Sequence, residues 1–154
     1  MDLIKIAGMV MSFSNRWVLA DGTLNEQLIT IRYRDGVQAE LDSRAFENCI
    51  QISWEADDVD PSTGYPSVDE LEKIDAFNQK LMSSIEPDNH GLVVMVLMSQ
   101  GVNQWIVYVR DTDELQKDLN KIPTDTGLYP IDVVTEVDSD WLIFTELRDA
   151  IKTQ

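Results

Sequence analysis

The sequence predicts an α+β domain: a ferredoxin-like βαββαβ antiparallel sheet over residues 46–137, with a β-hairpin over 17–34 before it and a terminal helix over 140–152 behind it. Three observations carry this prediction. Apolar residues alternate with period two in several short runs, they recur at spacings of three and four in two longer ones, and the runs follow one another in the order β-α-β-β-α-β.

In the hairpin, Trp17-Val-Leu-Ala20 leads into the turn pair Asp21-Gly22, and Ile29, Ile31 and Tyr33 then alternate with Thr30 and Arg32 until Asp35-Gly36. The first core strand is Cys49 to Trp54, with Ile50, Ile52 and Trp54 on one face. Pro66-Ser-Val-Asp-Glu70 starts a helix, because Ser67 can cap it and Glu70 stands at the capping-box position. Val68, Leu71, Ile74, Phe77, Leu81 and Ile85 form its apolar stripe, and Pro87 follows its end. Leu92 to Met98 is an unbroken, valine-rich apolar run, which predicts a strand buried on both faces. Gln100-Gly-Val-Asn103 turns the chain into Trp105 to Arg110.

Asp111 and Glu114 repeat the capping-box spacing, with Leu115, Leu119 and Ile122 as the stripe of a second helix that stops before Pro123. After Pro130 a last alternating strand runs from Ile131 to Val137. The terminal helix then places Trp141, Phe144, Leu147 and Ile151 on one side. Both core helices are expected on one sheet face. The hairpin, the segment 3–11 or a second subunit would have to cover the other.

All 154 residues fit a single domain. Charge separates the function classes more sharply. Against 12 Lys and Arg stand 28 Asp and Glu, a formal net charge of −16, which repels phosphate backbones and anionic lipid. The expected partner is another protein with a basic surface, with neither nucleic acid nor membrane, and a homodimer is compatible with the uncovered sheet face. The single cysteine, Cys49, excludes an intramolecular disulfide. Asp2 spoils a basic leader region and the following apolar run is too short for a leader core, so the chain reads as cytoplasmic.

Trp17 before an Asp-Gly pair, Gly64-Tyr-Pro66 opening an acidic-capped helix, Gly91-Leu-Val-Val, Gly101-x-x-x-Trp105-Ile-Val-Tyr108-x-Arg110-Asp111 and Asp138-x-Asp-Trp141 together resemble the bacterial family named domain of unknown function 695. The resemblance covers residues 17 to 147 and is carried most specifically by the Gly101 to Asp111 segment and the closing Asp-x-x-Trp. The chain departs from it at Ser139, where the family has proline, and at Phe144, where it has tyrosine. The resemblance implies a fold but no activity and no catalytic residues. Family members are similar in turn to the regulator of ribonuclease activity B, a small acidic protein that binds a ribonuclease, an analogy of fold and charge.

Read for chemistry, the residues offer little. Glu55, Asp57, Asp58 and Asp60 place four carboxylates within six residues, but an EF-hand register from Asp58 puts Thr63 where glycine is required and Pro61 inside the loop. Carboxylate catalysis needs a cleft that separates two pKa values, and only Glu55, nearest the sheet, is a candidate for it. His90 is the sole histidine and reads as an exposed loop residue, while Cys49 reads as a buried, inert thiol. Trp105 and Tyr108 lack the basic and glycine positions of an RNA-binding strand and read as core. The sequence therefore yields no catalytic residue, no metal site and no cofactor. It points to a non-enzymatic regulator or inhibitor that binds a protein, with a small carboxylate-dependent hydrolase and a structural homo-oligomer as the rivals.

Strand direction sorts the acids into two surfaces. The third and fourth core strands leave the sheet at one end, with Asp111, Asp113, Glu114, Glu136, Asp138 and Asp140, the expected docking residues. Glu55, Asp57, Asp58 and Asp60 leave the first strand at the opposite end and form a second acidic surface.

Overall fold

The structure, a computed structural model, describes residues 13–24, 27–122 and 130–152. The elements are β1 (Arg16–Leu24), β2 (Gln27–Asp35), α1 (Gln38–Ser43), β3 (Asn48–Glu55), α2 (Val68–Ile85), β4 (Gly91–Ser99), β5 (Val102–Val109), α3 (Thr112–Asn120), β6 (Ile131–Val137) and α4 (Leu142–Lys152). The expected α+β class is present, but the sheet has six strands, not four, in the order β1-β2-β4-β5-β3-β6. All five neighbouring pairs are antiparallel.

The hairpin is part of the sheet. β2 pairs with β4 from Thr30↔Met98 to Tyr33↔Met95, so that Ile29, Ile31 and Tyr33 extend an apolar face already begun by Leu92, Met95 and Leu97. Asp21 and Gly22 are not the turn. They continue β1 opposite Thr30 and Ile29, and residues 25–26 lie outside the described residues. A genuine two-residue turn joins β4 to β5, where Gln100 and Gly101 both take positive φ, 52° and 79°.

The apolar run of β4 serves both faces through a bulge. Its register against β5 shifts between Val93 and Met95; Val93 and Val96 face one core and Val94, Met95 and Leu97 the other. On the first face α2 and α3 bring Ile74, Phe77, Leu81 and Leu115 onto Ile50, Ile52, Trp54 and Trp105. On the second, Trp141 and Phe144 of the C-terminal segment pack with Val37, Phe46 and Cys49, and Leu147 and Ile151 lie against them. α4 and the α1 region thus cover the face left open in sequence, and segment 3–11 lies outside the described residues.

The start of α2 departs from its predicted stripe. Val68 is 72% exposed and Leu71 is also exposed, whereas Glu70 and Asn78 are buried. Two tryptophans explain the rotation. Trp54 Nε1–H donates to Glu70 at 2.8 Å and Trp105 Nε1–H to Asn78 Oδ1 at 2.9 Å, so each buried indole takes its acceptor from the helix. Ser67 caps as expected, accepting from the Glu70 N–H, while the Glu70 carboxylate goes to Trp54 instead of closing the box. α4 begins two residues later than predicted, because Asp138 accepts from the N–H groups of Leu142 and Ile143. Among the described residues no helix is long and apolar enough to cross a membrane.

Candidate functional site

The six-stranded sheet is wider than the helices above it. α2 lies over β3, β4 and β5, so the same-face side chains of the hairpin, Leu19, Thr30 and Arg32, have no helix over them. The result is a groove of about 500 Å³ between the hairpin and the first turns of α2. Val96, Met98 and Trp105 contribute to its floor, Leu71, Ile74 and Asp75 stand on the α2 wall, and Tyr65 closes it, its hydroxyl 2.8 Å from Thr30 Oγ1. The volume is within the ~300–1,000 Å³ range of small-ligand sites.

Asn103, Arg32 and Asp75 add polar groups to this apolar surface. Asn103 is 3% exposed, yet its amide nitrogen has no hydrogen-bond partner. A buried donor without an acceptor costs about 1–3 kcal/mol and asks for an explanation. Arg32 is half-buried, its guanidinium 5.9 Å from the Trp17 ring centroid, and desolvation lowers its pKa against the opposing pull of Asp75. Arg32 and Asp75 feel each other's charge across the groove without forming an ion pair. The groove can therefore take an apolar body that carries an acceptor for Asn103 and Arg32.

The acidic residues expected at the β5 and β6 exits do stand at one end of the sheet, but most are occupied locally. Asp111 caps α3 through the N–H groups of Asp113 and Glu114. Glu114 chelates Arg110 at 2.9 and 3.0 Å, which holds its pKa below the ordinary carboxylate value. Asp138 accepts the Tyr108 hydroxyl at 2.7 Å, and Asp140 pairs with Arg44 at 2.7 Å. Asp113 is exposed, and exposed Glu136 has a single long hydrogen bond, 3.4 Å, from Gln51.

At the opposite end Glu55, Asp57 and Asp58 are exposed and form no ion pair among the described residues. Asp60 accepts from both the N–H and the hydroxyl of Ser62, which lowers its pKa. The loop is held to the sheet by the Ala56 N–H bond to Gly101 O, and Val59 packs so closely on Gly101 that a Cβ there would meet Val59 Cγ2 at 2.9 Å. No basic residue occurs between Arg44 and Lys73. Glu55 does not line the groove, and no three His, Cys, Asp or Glu residues gather into a metal-binding set among the described residues.

His90 is a correction. It is not an exposed loop residue but sits against α3, Nδ1 at 2.6 Å from Asp118 Oδ2 and Nε2 at 3.4 Å from Glu114 Oε2, since the entry of β4 and the start of α3 share one end of the sheet. Cys49 is fully buried, and its thiol is pushed up to about 12, chiefly by desolvation. Its native thiol should resist iodoacetamide at pH 8 and react once urea unfolds the chain; labelling of the folded protein at the unfolded rate would contradict this. Because the folded pKa lies above the ordinary 9.0, the thiol's contribution to stability is complete below pH 9 and is lost as pH rises toward 12.

Trp105 and Tyr108 are core residues, at 5.0 Å from the Phe77 ring centroid and 4.3 Å from that of Trp141. The groove itself was not anticipated from sequence. Asn103 carried a signal, since period two places it in phase with Trp105, Val107 and Val109 on a buried face. Compared with known proteins, residues 15–147 match the model of a family of unknown function, DUF695. No curated protein and no solved structure matches the chain.

Proposed function

We propose that this chain, which belongs to the DUF695 family of unknown function, is a non-enzymatic cytoplasmic protein that binds another protein by taking an apolar segment of it into the groove beside α2. The observation that carries this reading is the unpaired, buried Asn103 amide lining an open apolar groove. A polypeptide offers what the lining lacks: an apolar side chain for the floor and a backbone carbonyl for Asn103 and Arg32. Basic groups flanking that segment would meet Asp75 and the Glu55, Asp57 and Asp58 loop, which leads to Tyr65 at the groove. Of the two acidic surfaces this one is preferred because Glu55, Asp57 and Asp58 form no ion pair among the described residues and only Asp60 is held locally, by Ser62, while Asp113 and Glu136 remain open at the other end. Within the wider sheet we read β3, α2, β4, β5, α3 and β6 as a ferredoxin-like βαββαβ unit enlarged by the hairpin.

The test needs no knowledge of the partner. An anilinonaphthalene sulfonate dye has an apolar body and an anionic acceptor, so it should fluoresce on the native protein and do so less on Leu71→Trp, which narrows the groove. Asn103→Leu should raise stability by about 1 kcal/mol, because it removes an unsatisfied buried donor, and yet weaken dye binding. Dye binding that ignores both substitutions, or a loss of stability in Asn103→Leu, would make Asn103 a structural residue and remove the basis for the site.

A further inference from the structure

At the far side of the sheet from the groove, β6 pairs with β3 from Asn48↔Val137 to Trp54↔Ile131, and no described strand lies beyond it. An edge strand leaves a row of N–H and C=O groups without sheet partners, and it templates another strand unless proline, lysine, a bulge or a covering element blunts it. Among the described residues β6 has no proline, lysine, bulge or covering element, and its only charges are Asp132 and Glu136. Its sequence is Ile-Asp-Val-Val-Thr-Glu-Val, its register against β3 is continuous, and every residue from Asp132 to Val137 is exposed. Val134 is 58% and Val137 73% exposed, on opposite faces of the strand.

Charge selects the occupant. Asp132 and Glu136 stand opposite Ser53 and Cys49 and so share one face, while Val133 and Val137 share the other. If a second copy paired antiparallel about Val134, Asp132 would face Glu136 twice, and like charges directly opposite are destabilising. Two chains of net charge −16 would also repel on approach. A strand with Lys or Arg at positions i and i+4 converts both contacts into opposite-charge pairs, and β-branched residues at its intervening positions cover Val133 and Val137.

We propose that β6 is a strand-addition site for an extended segment of another protein that carries basic residues at i and i+4 among β-branched ones. Main-chain hydrogen bonds to the open edge hold the segment and the alternate side chains select it. Glu136 keeps a carboxylate oxygen for the incoming strand, since only one of the two accepts from Gln51. The site does not depend on the groove, which lies at the hairpin side of the sheet.

The capped peptide Ile-Lys-Val-Val-Thr-Lys-Val, compared with Ile-Asp-Val-Val-Thr-Glu-Val, tests it on the full chain. The lysine peptide should bind one to one, slow amide hydrogen exchange at residues 131–137 and bind about tenfold more tightly than the acidic peptide. High salt should shrink that preference. In the Asp132→Lys, Glu136→Lys double variant it should invert, and if that variant unfolds, Asp132→Asn with Glu136→Gln should bind both peptides equally. Overturning results are a preference that survives the charge reversal, protection that appears away from β6, or sedimentation showing that the native chain dimerises through β6.

Discussion

Replacing Glu86 by alanine is expected to destabilise the protein by about 3–5 kcal/mol, because it strands a buried guanidinium. Arg34 is 2% exposed, and its one ion pair among the described residues is Nη2 to Glu86 Oε1 at 3.0 Å; Nε and Nη1 have no hydrogen-bond partner. The Trp17 ring, 4.7 Å from the guanidinium, softens that environment without replacing a carboxylate. Glu86 also accepts the Val93 N–H at 3.1 Å, immediately before the β4 bulge, so one side chain at the end of α2 ties down β2 and β4 together. The cost belongs to the orphaned charge more than to the pair. Arg34→Met combined with Glu86→Leu should therefore recover most of the loss, which urea unfolding of the two single variants and the double would read directly. A loss below about 1 kcal/mol for Glu86→Ala would mean that water reaches Arg34.

Trp141→Ala should cost a comparable ~3–5 kcal/mol. The indole is 1% exposed, stacks on Tyr108 at 4.3 Å and 14°, meets Phe144 edge-on at 6.0 Å, and donates its Nε1–H to Phe46 O at 2.8 Å. Truncation empties this stack and leaves a carbonyl unpaired. It also spares no backbone strain, since residue 141 has φ of 55° and alanine is no freer there than tryptophan. Trp141→Phe keeps a ring for Tyr108 but loses the donor, so it should fall between native and alanine, at about 1–3 kcal/mol. Chemical denaturation ranks the three. Equal midpoints for Trp141→Phe and the native chain would remove the hydrogen bond from the account.

Much of the framework was legible because it is written locally. Ser67 and Asp111 cap the helices they were expected to cap, β3 and β6 follow the alternation, and Cys49 is buried as its strand position implied. What escaped depends on pairing at a distance. The hairpin's place in the sheet rests on β2 meeting β4, which no local spacing encodes. α1 is six residues long with no buried side chain, too short and too polar to show a stripe. Val68 and Leu71 occupy apolar positions in the helical pattern, yet Trp54 and Trp105 demand acceptors and turn Glu70 and Asn78 inward instead. His90 was misplaced for a similar reason: its carboxylate neighbours come from a helix more than twenty residues later. The groove combines both failures, being the space left where a widened sheet outruns its helix.

The strand order also dictates when the nascent chain can settle. β3 lies between β5 and β6, both synthesised after it, and β2 must wait for β4. When Glu55 leaves the ribosome, the β1–β2 hairpin is the only strand pairing available among the described residues. Ile50, Ile52 and Trp54 then remain without sheet neighbours until β5 is complete at Val109, roughly 3 to 10 s later at ~5–20 residues per second. The acidic stretch that follows β3 emerges during this interval. Like charge on this stretch opposes contact between neighbouring unfinished chains while Ile50, Ile52 and Trp54, all buried in the finished fold, are still bare.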